Sequence, residues 1–298
     1  MNSDVIVNIM GGLGNQMFQV AFGHAIAVAR GAKVKFAVNM LNTFRTHRNL
    51  EVDRVFALEL PLATRQDVTH TLGTVHAIPF VQRSLSRTQF RYLRHRRMVY
   101  DDNPRSLNDV RTLSYRGNYF YGYWQNPSYF SQVGLMAGEL FKFPSVSGEK
   151  NLGLVSSMKR YGAIGVHIRR GDYLGSTNPG SHYVLPSTYY MDAISILSGE
   201  MHGAVVLLFS DDPEWVRENL LPKIKNAVCV DWNVGDLSFR DMQLLAMCDS
   251  VVMSNSTFSW WGALLNHRCG NRVVAPLRWF NDPGVDMKSV LSSDWRLL

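Results

Sequence analysis

Residues 167–173 read HIRRGDY, directly after the small apolar run GAIGV. Two consecutive arginines at the end of a buried strand are costly to leave unpaired, so their position asks for an anion. A guanidinium is a planar fork of donors that grips phosphate at two points. Arg169 and Arg170 are therefore candidates for holding a phosphate or diphosphate. The alternative is a structural ion pair with Asp172 in the same stretch.

Two more stretches carry chemistry of the same kind. In FSDDPEWVREN, residues 209–219, Asp212 before Pro213 is a helix N-cap followed by proline at the first helical position. Asp211 is then left over, and a carboxylate can accept two hydrogen bonds from the N1 and N2 edge of a guanine. In SNSTFSWWGALLN, residues 254–266, Ser254, Asn255, Ser256 and Thr257 put hydroxyls and backbone N–H groups at a helix start. Such an end suits a diphosphate, and capping alone would need only one of the four. Phe258, Trp260 and Trp261 read as core. No Asp-x-Asp triplet occurs in the sequence, so arginines and a helix end would have to stabilise a departing diphosphate without the usual carboxylate–metal pair.

A fourth stretch, GGLGNQMFQ at 11–19, is a glycine-rich strand-to-helix turn. Gly12 and Gly14 supply G-x-G, but Met17 stands where a dinucleotide fingerprint needs its third small residue, and Asn39 follows the second strand where an acid is required. No Lys-Ser or Lys-Thr completes a phosphate-binding loop. The turn brings Asn15 and Gln16 up to something polar.

The elements that must position these residues follow from hydrophobic pattern. Apolar strand-like runs at 163–168, 204–209, 227–230, 250–253 and 272–275 alternate with helical patterns at 187–197, 213–221, 238–247 and 257–266. That alternation predicts a parallel, doubly wound sheet, whose ligands bind beyond the carboxyl ends of its strands. All three charged or hydroxyl-bearing stretches lie at such ends. The N-terminal part opens with a strand at 5–10, the glycine turn, a helix to about residue 30 and a strand at 34–38. Between 41 and 147 the signals are mixed. KFPSVSGEKN, residues 142–151, is the linker candidate, which divides the chain into domains 1–147 and 148–298.

The whole chain sets the frame. With 298 residues, 46% hydrophobic and 18% charged, it is globular and long enough for two domains. Cys229, Cys248 and Cys269 are too scattered for a disulfide framework or a metal-ligand motif. The start MNSDVIVNIM lacks the pattern of a secretory signal, and no apolar run approaches the length of a membrane span. A soluble, cytoplasmic protein is the expectation. Net charge is +7, concentrated in six arginines from Arg83 to Arg97. Arg83, Arg87, Arg91 and Arg94 fall at helical spacing, which reads either as a solvated helix face or as a basic helix against anionic lipid at a membrane face. No nucleic-acid-binding fingerprint accompanies the charge.

In order and spacing, GGLGNQMFQVAFGHAIA, HIRRGDY, FSDDPEWV and SNSTFSWWGALLN together resemble the α-1,2-fucosyltransferase family, the bacterial-type glycosyltransferase family 11. GYWQNPSYF, residues 122–130, resembles a stretch between that family's two domains. The resemblance implies an α/β, GT-B architecture, two Rossmann-like domains facing across a cleft. The first is then the acceptor side and the second binds GDP-L-fucose. It implies inverting transfer of fucose to O2 of a terminal galactose on an oligosaccharide or lipid-linked glycan. GDP-fucose is a substrate in this scheme, and neither a cofactor nor an essential metal is expected.

Carried over residue by residue, the resemblance puts Arg169 on the diphosphate, His167 and Asp211 or Asp212 near the guanine, and Ser256 and Thr257 on phosphate oxygens. Arg170 and Asp172 shape the loop. Asn15 and its glycine turn, with Gly12, Gly14 and Gln16, reach the donor from the other domain. Flat faces among Tyr119, Tyr121, Tyr123 and Trp124 suit a galactose ring, though a core or interface role fits most of them equally. For a general base, Asp172, His24, Glu51 and Asp53 all remain open. The competing readings are a related transferase with another linkage, acceptor or GDP-sugar, and a non-catalytic GDP-sugar or glycan binder.

Overall fold

The computed structural model describes residues 4–41, 49–101, 109–175, 182–270, 272–282 and 290–298, apart from the side chains of Thr88, Arg91 and Asp172. The chain forms two compact units, Met1–Pro144 and Ser145–Leu298. Each is a Rossmann-like layer of parallel strands with helices between them.

In the first unit the strands are β1 (Val5–Asn8), β2 (Val34–Ala37), β3 (Met98–Tyr100) and β4 (Tyr119–Tyr121), in the order β2-β1-β4-β3. Every recorded pairing is parallel. The helix Leu13–Arg30 returns the chain from β1 to β2. Its inner face is apolar for nearly three turns apart from Gln19, with Met17, Phe18, Val20, Ala21, Phe22, Ala25 and Ile26 buried, and it ends on Gly31 in the left-handed conformation, as a helix C-terminus favours. The strand order reverses between β1 and β4, so the loops leaving those two strands flank a switch point.

In the second unit the strands are β5 (Ala163–Ile168), β6 (Val205–Ser210), β7 (Ala227–Val230), β8 (Ser250–Val252), β9 (Val273–Ala275) and β10 (Arg296–Leu297), in the order β10-β9-β8-β5-β6-β7. All six residues of β5 are buried, because helices cover both faces of a parallel sheet. Tyr190, Ala193, Ile194 and Leu197 of the helix Ser187–Glu200 pack on Ile164, Val166 and Ile168, with Val206 and Leu208 beside them. Burying a side chain of this size contributes about 1.5–3 kcal/mol, so the position of the β5 end is strongly determined. Here the order reverses between β5 and β8.

The arginine-rich stretch differs from its sequence reading. It is not one helix: the helix Pro79–Leu85 stops, and a 3-10 segment, Thr88–Leu93, follows. Arg94 folds back so that Nε donates to Leu85 O at 2.9 Å and Nη2 to Ser86 O at 3.1 Å. Its guanidinium also lies 4.0 Å from the centre of the Tyr100 ring. A charged side chain that satisfies the last carbonyls of a helix ends it, which helical spacing alone could not reveal.

Candidate functional site

In the second unit the three predicted stretches meet at the switch point. His167 is the fifth residue of β5, and its Nδ1 lies 2.9 Å from Ser254 Oγ in the loop after β8. The ring stacks on Phe258 at 5.1 Å. Burial, with the positive charge of Arg169 behind it, pushes the His167 pKa down to about 3, so the imidazole is neutral at physiological pH. Tyr173 makes a second tie between the same loops, its hydroxyl donating to Asn255 O at 2.8 Å. Tyr173 also stacks on His182 at 4.5 Å.

The two arginines diverge from the end of β5. Arg169 Nη1 lies 3.2 Å from Asp211 Oδ2. Arg170 turns to the other side, its guanidinium 3.9 Å from the centre of the Trp215 ring and its Nε 3.5 Å from Asp212 Oδ2. Each has a carboxylate from the β6 loop beside it, so the structural ion pairs run to Asp211 and Asp212. Asp172 lies in the short helix Gly171–Gly175, and its side chain is outside the described residues.

Both carboxylates are engaged. Asp211 Oδ1 accepts from the Arg170 backbone N–H at 2.9 Å while Oδ2 faces Arg169. Asp212 accepts from Trp215 N at 3.2 Å and caps the helix Pro213–Asn219, with Pro213 at its start. The cap reading therefore holds for Asp212, and in the free protein both carboxylates also fix the arginines. Ser256 caps the helix Thr257–Leu264 by accepting from Phe258 N at 3.3 Å. Thr257 begins that helix and is half-buried, whereas Trp260 and Trp261 are core. Asn255 is buried and spends its amide N–H groups on Tyr183 O and Trp279 O, at 2.7 and 2.8 Å.

The first unit is built from amides. The left-handed residue of its turn is Gly11, at φ 78, where an added Cβ would stand 2.6 Å from Asn15 Nδ2. Gly12 is an extended N-cap and Gly14 is buried in the first helical turn, so the residue that requires glycine precedes the G-x-G read from the sequence. Gln16 Nε2 donates to Gly11 O at 2.9 Å and Asn49 O at 3.0 Å. Its Oε1 accepts from Glu51 N at 2.8 Å and Val52 N at 3.2 Å. All four hydrogen-bonding positions of the amide are used inside the protein, which makes Gln16 a strut rather than a ligand contact.

Gln19, which sequence reasoning passed over, is a second strut: its Oε1 accepts from Met10 N and its Nε2 donates to Gly122 O, both at 3.0 Å. Asn15 Oδ1 accepts from Gln125 Nε2 at 2.8 Å. The turn after β1 is thus laced to the turn after β4. The available signal was a pair of glutamines three residues apart on an otherwise apolar helix face, since buried amides demand partners.

Of the four aromatics named for a galactose ring, three are core, and Tyr119 among them is fully buried. Trp124 is buried face to face on Phe22 at 4.2 Å. Tyr121 is buried beside Tyr100, and burial pushes its hydroxyl up to about 12. Tyr123 is 39% exposed at the carboxyl end of β4 and keeps a face for a ligand. Gly122 between them has no room for a side chain, because a Cβ would stand 2.1 Å from Asp101 Cβ. Asp101 in turn accepts from Trp124 N at 2.8 Å. Among the possible bases, His24 is half-buried in the helix near Phe36, with its pKa lowered by burial. Glu51 is tied to the glycine turn through Gln16, and Asp53 bonds its neighbour Arg54 N.

Comparison with known proteins gives a consistent picture. The family model described as "Glycosyl transferase family 11" matches residues 4–298. An alpha-1,2-colitosyltransferase of Escherichia coli is 27% identical over 279 residues, 93% of each chain. The O-antigen biosynthesis glycosyltransferase WbnK of Escherichia coli is 29% identical, over 91% of this chain and 93% of that one. A galactoside 2-alpha-L-fucosyltransferase of Caenorhabditis elegans is 31% identical over 147 residues, 47% of this chain and 40% of its own.

Proposed function

The chain belongs to glycosyl transferase family 11, and on that premise we propose that it transfers L-fucose from GDP-β-L-fucose to O2 of a terminal β-galactose. The transfer inverts the anomeric centre and uses no essential metal. The observation that carries this reading is the pair of arginines at the switch point between β5 and β8, beside a helix start capped by Ser256.

Breaking the fucosyl–phosphate bond leaves positive charge on the sugar and negative charge on the departing GDP. A guanidinium already held in place stabilises that growing charge more than it stabilises the intact donor, which is what accelerates a reaction. Arg169 does this, with the diphosphate taking the place beside it that Asp211 has in the free protein. Arg170, held by Trp215 and Asp212, keeps the loop in shape. Ser256 and Thr257 present hydroxyl and backbone donors to phosphate oxygens. Neutral His167 adds no competing charge and pins the β8 loop through Ser254. On the first unit Tyr123 supplies an aromatic face for galactose, and Asn15 a polar side chain at the turn. Glu51 is the carboxylate we assign to take the acceptor's proton, because Gln16 holds its backbone at the glycine turn.

The test is incubation of purified protein with GDP-fucose and lactose in EDTA. A trisaccharide with fucose on galactose O2, released together with GDP, is the expected product. No turnover and no GDP binding would defeat the reading. A second reading, transfer of colitose, is favoured by the relative aligned over nearly the full chain. Colitose is fucose without its 3-hydroxyl. A site that hydrogen-bonds that hydroxyl discriminates by about 10⁴ against a donor lacking it, so relative kcat/KM for the two GDP-sugars separates the readings.

A further inference from the structure

The first unit carries a surface that none of this explains. Between Asp67 and Asp101 the chain has six arginines and no acidic residue. The side chains of Arg83, Arg87, Arg96 and Arg97 are exposed. Large apolar side chains stand out among them: Phe80 is 76% exposed, Tyr92 82% and Leu93 64%, with Val75 and Ile78 also on the surface. Hydrogen bonds tie together the segments that carry these residues. His76 Nε2 lies 3.1 Å from Leu93 O and its ring 5.3 Å from that of His95. Gln82 Nε2 donates to His76 O at 3.0 Å, and Arg94 ties the segment to the end of the helix Pro79–Leu85. Phe80 and Arg83, three residues apart, share a side of that helix.

We propose that this face docks on the surface of an anionic phospholipid bilayer. Exposed arginines are drawn to acidic headgroups, and aromatic rings favour the boundary between headgroups and acyl chains. A purely polyanionic partner would be served by the arginines alone. It gives no account of Leu93, Val75 and Ile78, which gain only from leaving water. The docking is peripheral, since among the described residues no helix is long and apolar enough to cross a membrane. This inference stands on the surface itself and does not depend on the proposed donor or acceptor.

Co-sedimentation of the full chain with phosphatidylcholine vesicles, with and without phosphatidylglycerol, tests it. The protein should pellet only with the anionic vesicles. The triple variant Arg87→Gln, Arg96→Gln, Arg97→Gln should bind them at least about tenfold more weakly. Phe80→Ser with Tyr92→Ser should weaken vesicle binding to a similar degree while leaving retention on heparin unchanged. All five positions are exposed, and an unshifted Tm confirms each variant's fold. Wild-type protein that stays in the supernatant with anionic vesicles overturns the proposal without any variant. Vesicle binding that survives loss of Phe80 and Tyr92 also overturns it, and makes the face a general polyanion site.

Discussion

The two units solve the same topological problem, but only the second sets charged pairs beside it. Each is a parallel sheet whose strand order reverses once, and in each the two loops at the reversal are tied together. In the second unit neutral groups tie the reversal itself, His167 with Ser254 and Tyr173 with Asn255, and charges stand directly beside it, where Arg169 meets Asp211 and Arg170 meets Asp212 in the β6 loop. In the first unit the ties are neutral amides, Asn15 with Gln125 and Gln19 with Gly122, over buried aromatic rings. A loop held by ion pairs can exchange one partner for an incoming anion. A loop held by saturated amides cannot exchange without losing its shape. On the proposed function, this is the difference expected of a unit that takes a charged donor and a unit that takes a neutral sugar.

Substitutions can break that contrast. The largest effect belongs to Arg169→Ala, which should lower kcat/KM by at least about 100-fold, or about 2.7 kcal/mol, from loss of charge-assisted hydrogen bonds. Arg169→Lys should not restore it, because a point charge does not reproduce the fork. Near-normal turnover by either variant would remove Arg169 from the reaction. Next is Gln16→Ala, which strands Glu51 N and Val52 N and should lower unfolding free energy by about 2–3 kcal/mol in denaturant titrations. GDP affinity of the folded fraction should be unchanged. The reverse pattern, intact stability with lost GDP binding, would turn the strut into a ligand contact.

His167 sharpens the contrast through pH. In the unfolded chain it takes up a proton below its ordinary value of 6.5, and in the folded protein not until about 3. Its contribution to stability is therefore complete above pH 6.5 and is lost as pH falls through that window. By pH 5 the loss is about 2 kcal/mol, so His167→Gln should show a smaller fall in stability between pH 7 and pH 5 than the wild type. An equal fall in both would show that His167 is not buried neutral. The smallest effect is that of Tyr123→Ala, which should raise the acceptor KM about tenfold, near 1.4 kcal/mol, with GDP affinity unmoved. A change confined to the donor would place Tyr123 in the other half of the reaction.

The second unit was largely legible because its central strands are buried on both faces and its edge strand β7 is still a continuous apolar run. β5 and β7 appear where their apolar runs fall, and Asp212–Pro213 marks the start of its helix exactly as capping chemistry requires. In the first unit β3 and β4 have three residues each, too few to show a period, and β4 is the aromatic triplet YFY, whose two tyrosines sequence reasoning left open between a sugar face and core. The charged loops gave away their residue types but not their pairing. Nothing in HIRRGDY says that Arg169 and Arg170 diverge, because that depends on Asp211, Asp212 and Trp215 from the next strand end. The amide struts stayed hidden for the same reason: the partners of Gln16 and Gln19 lie between 5 and 103 residues away.

The central claim is that the end of β5 holds a diphosphate through Arg169. Calorimetric titration of the wild type and Arg169→Ala with GDP and with GMP tests it most directly. The account predicts that the wild type binds GDP more tightly than GMP and that Arg169→Ala binds the two alike. A variant that keeps the wild-type preference for GDP would contradict it.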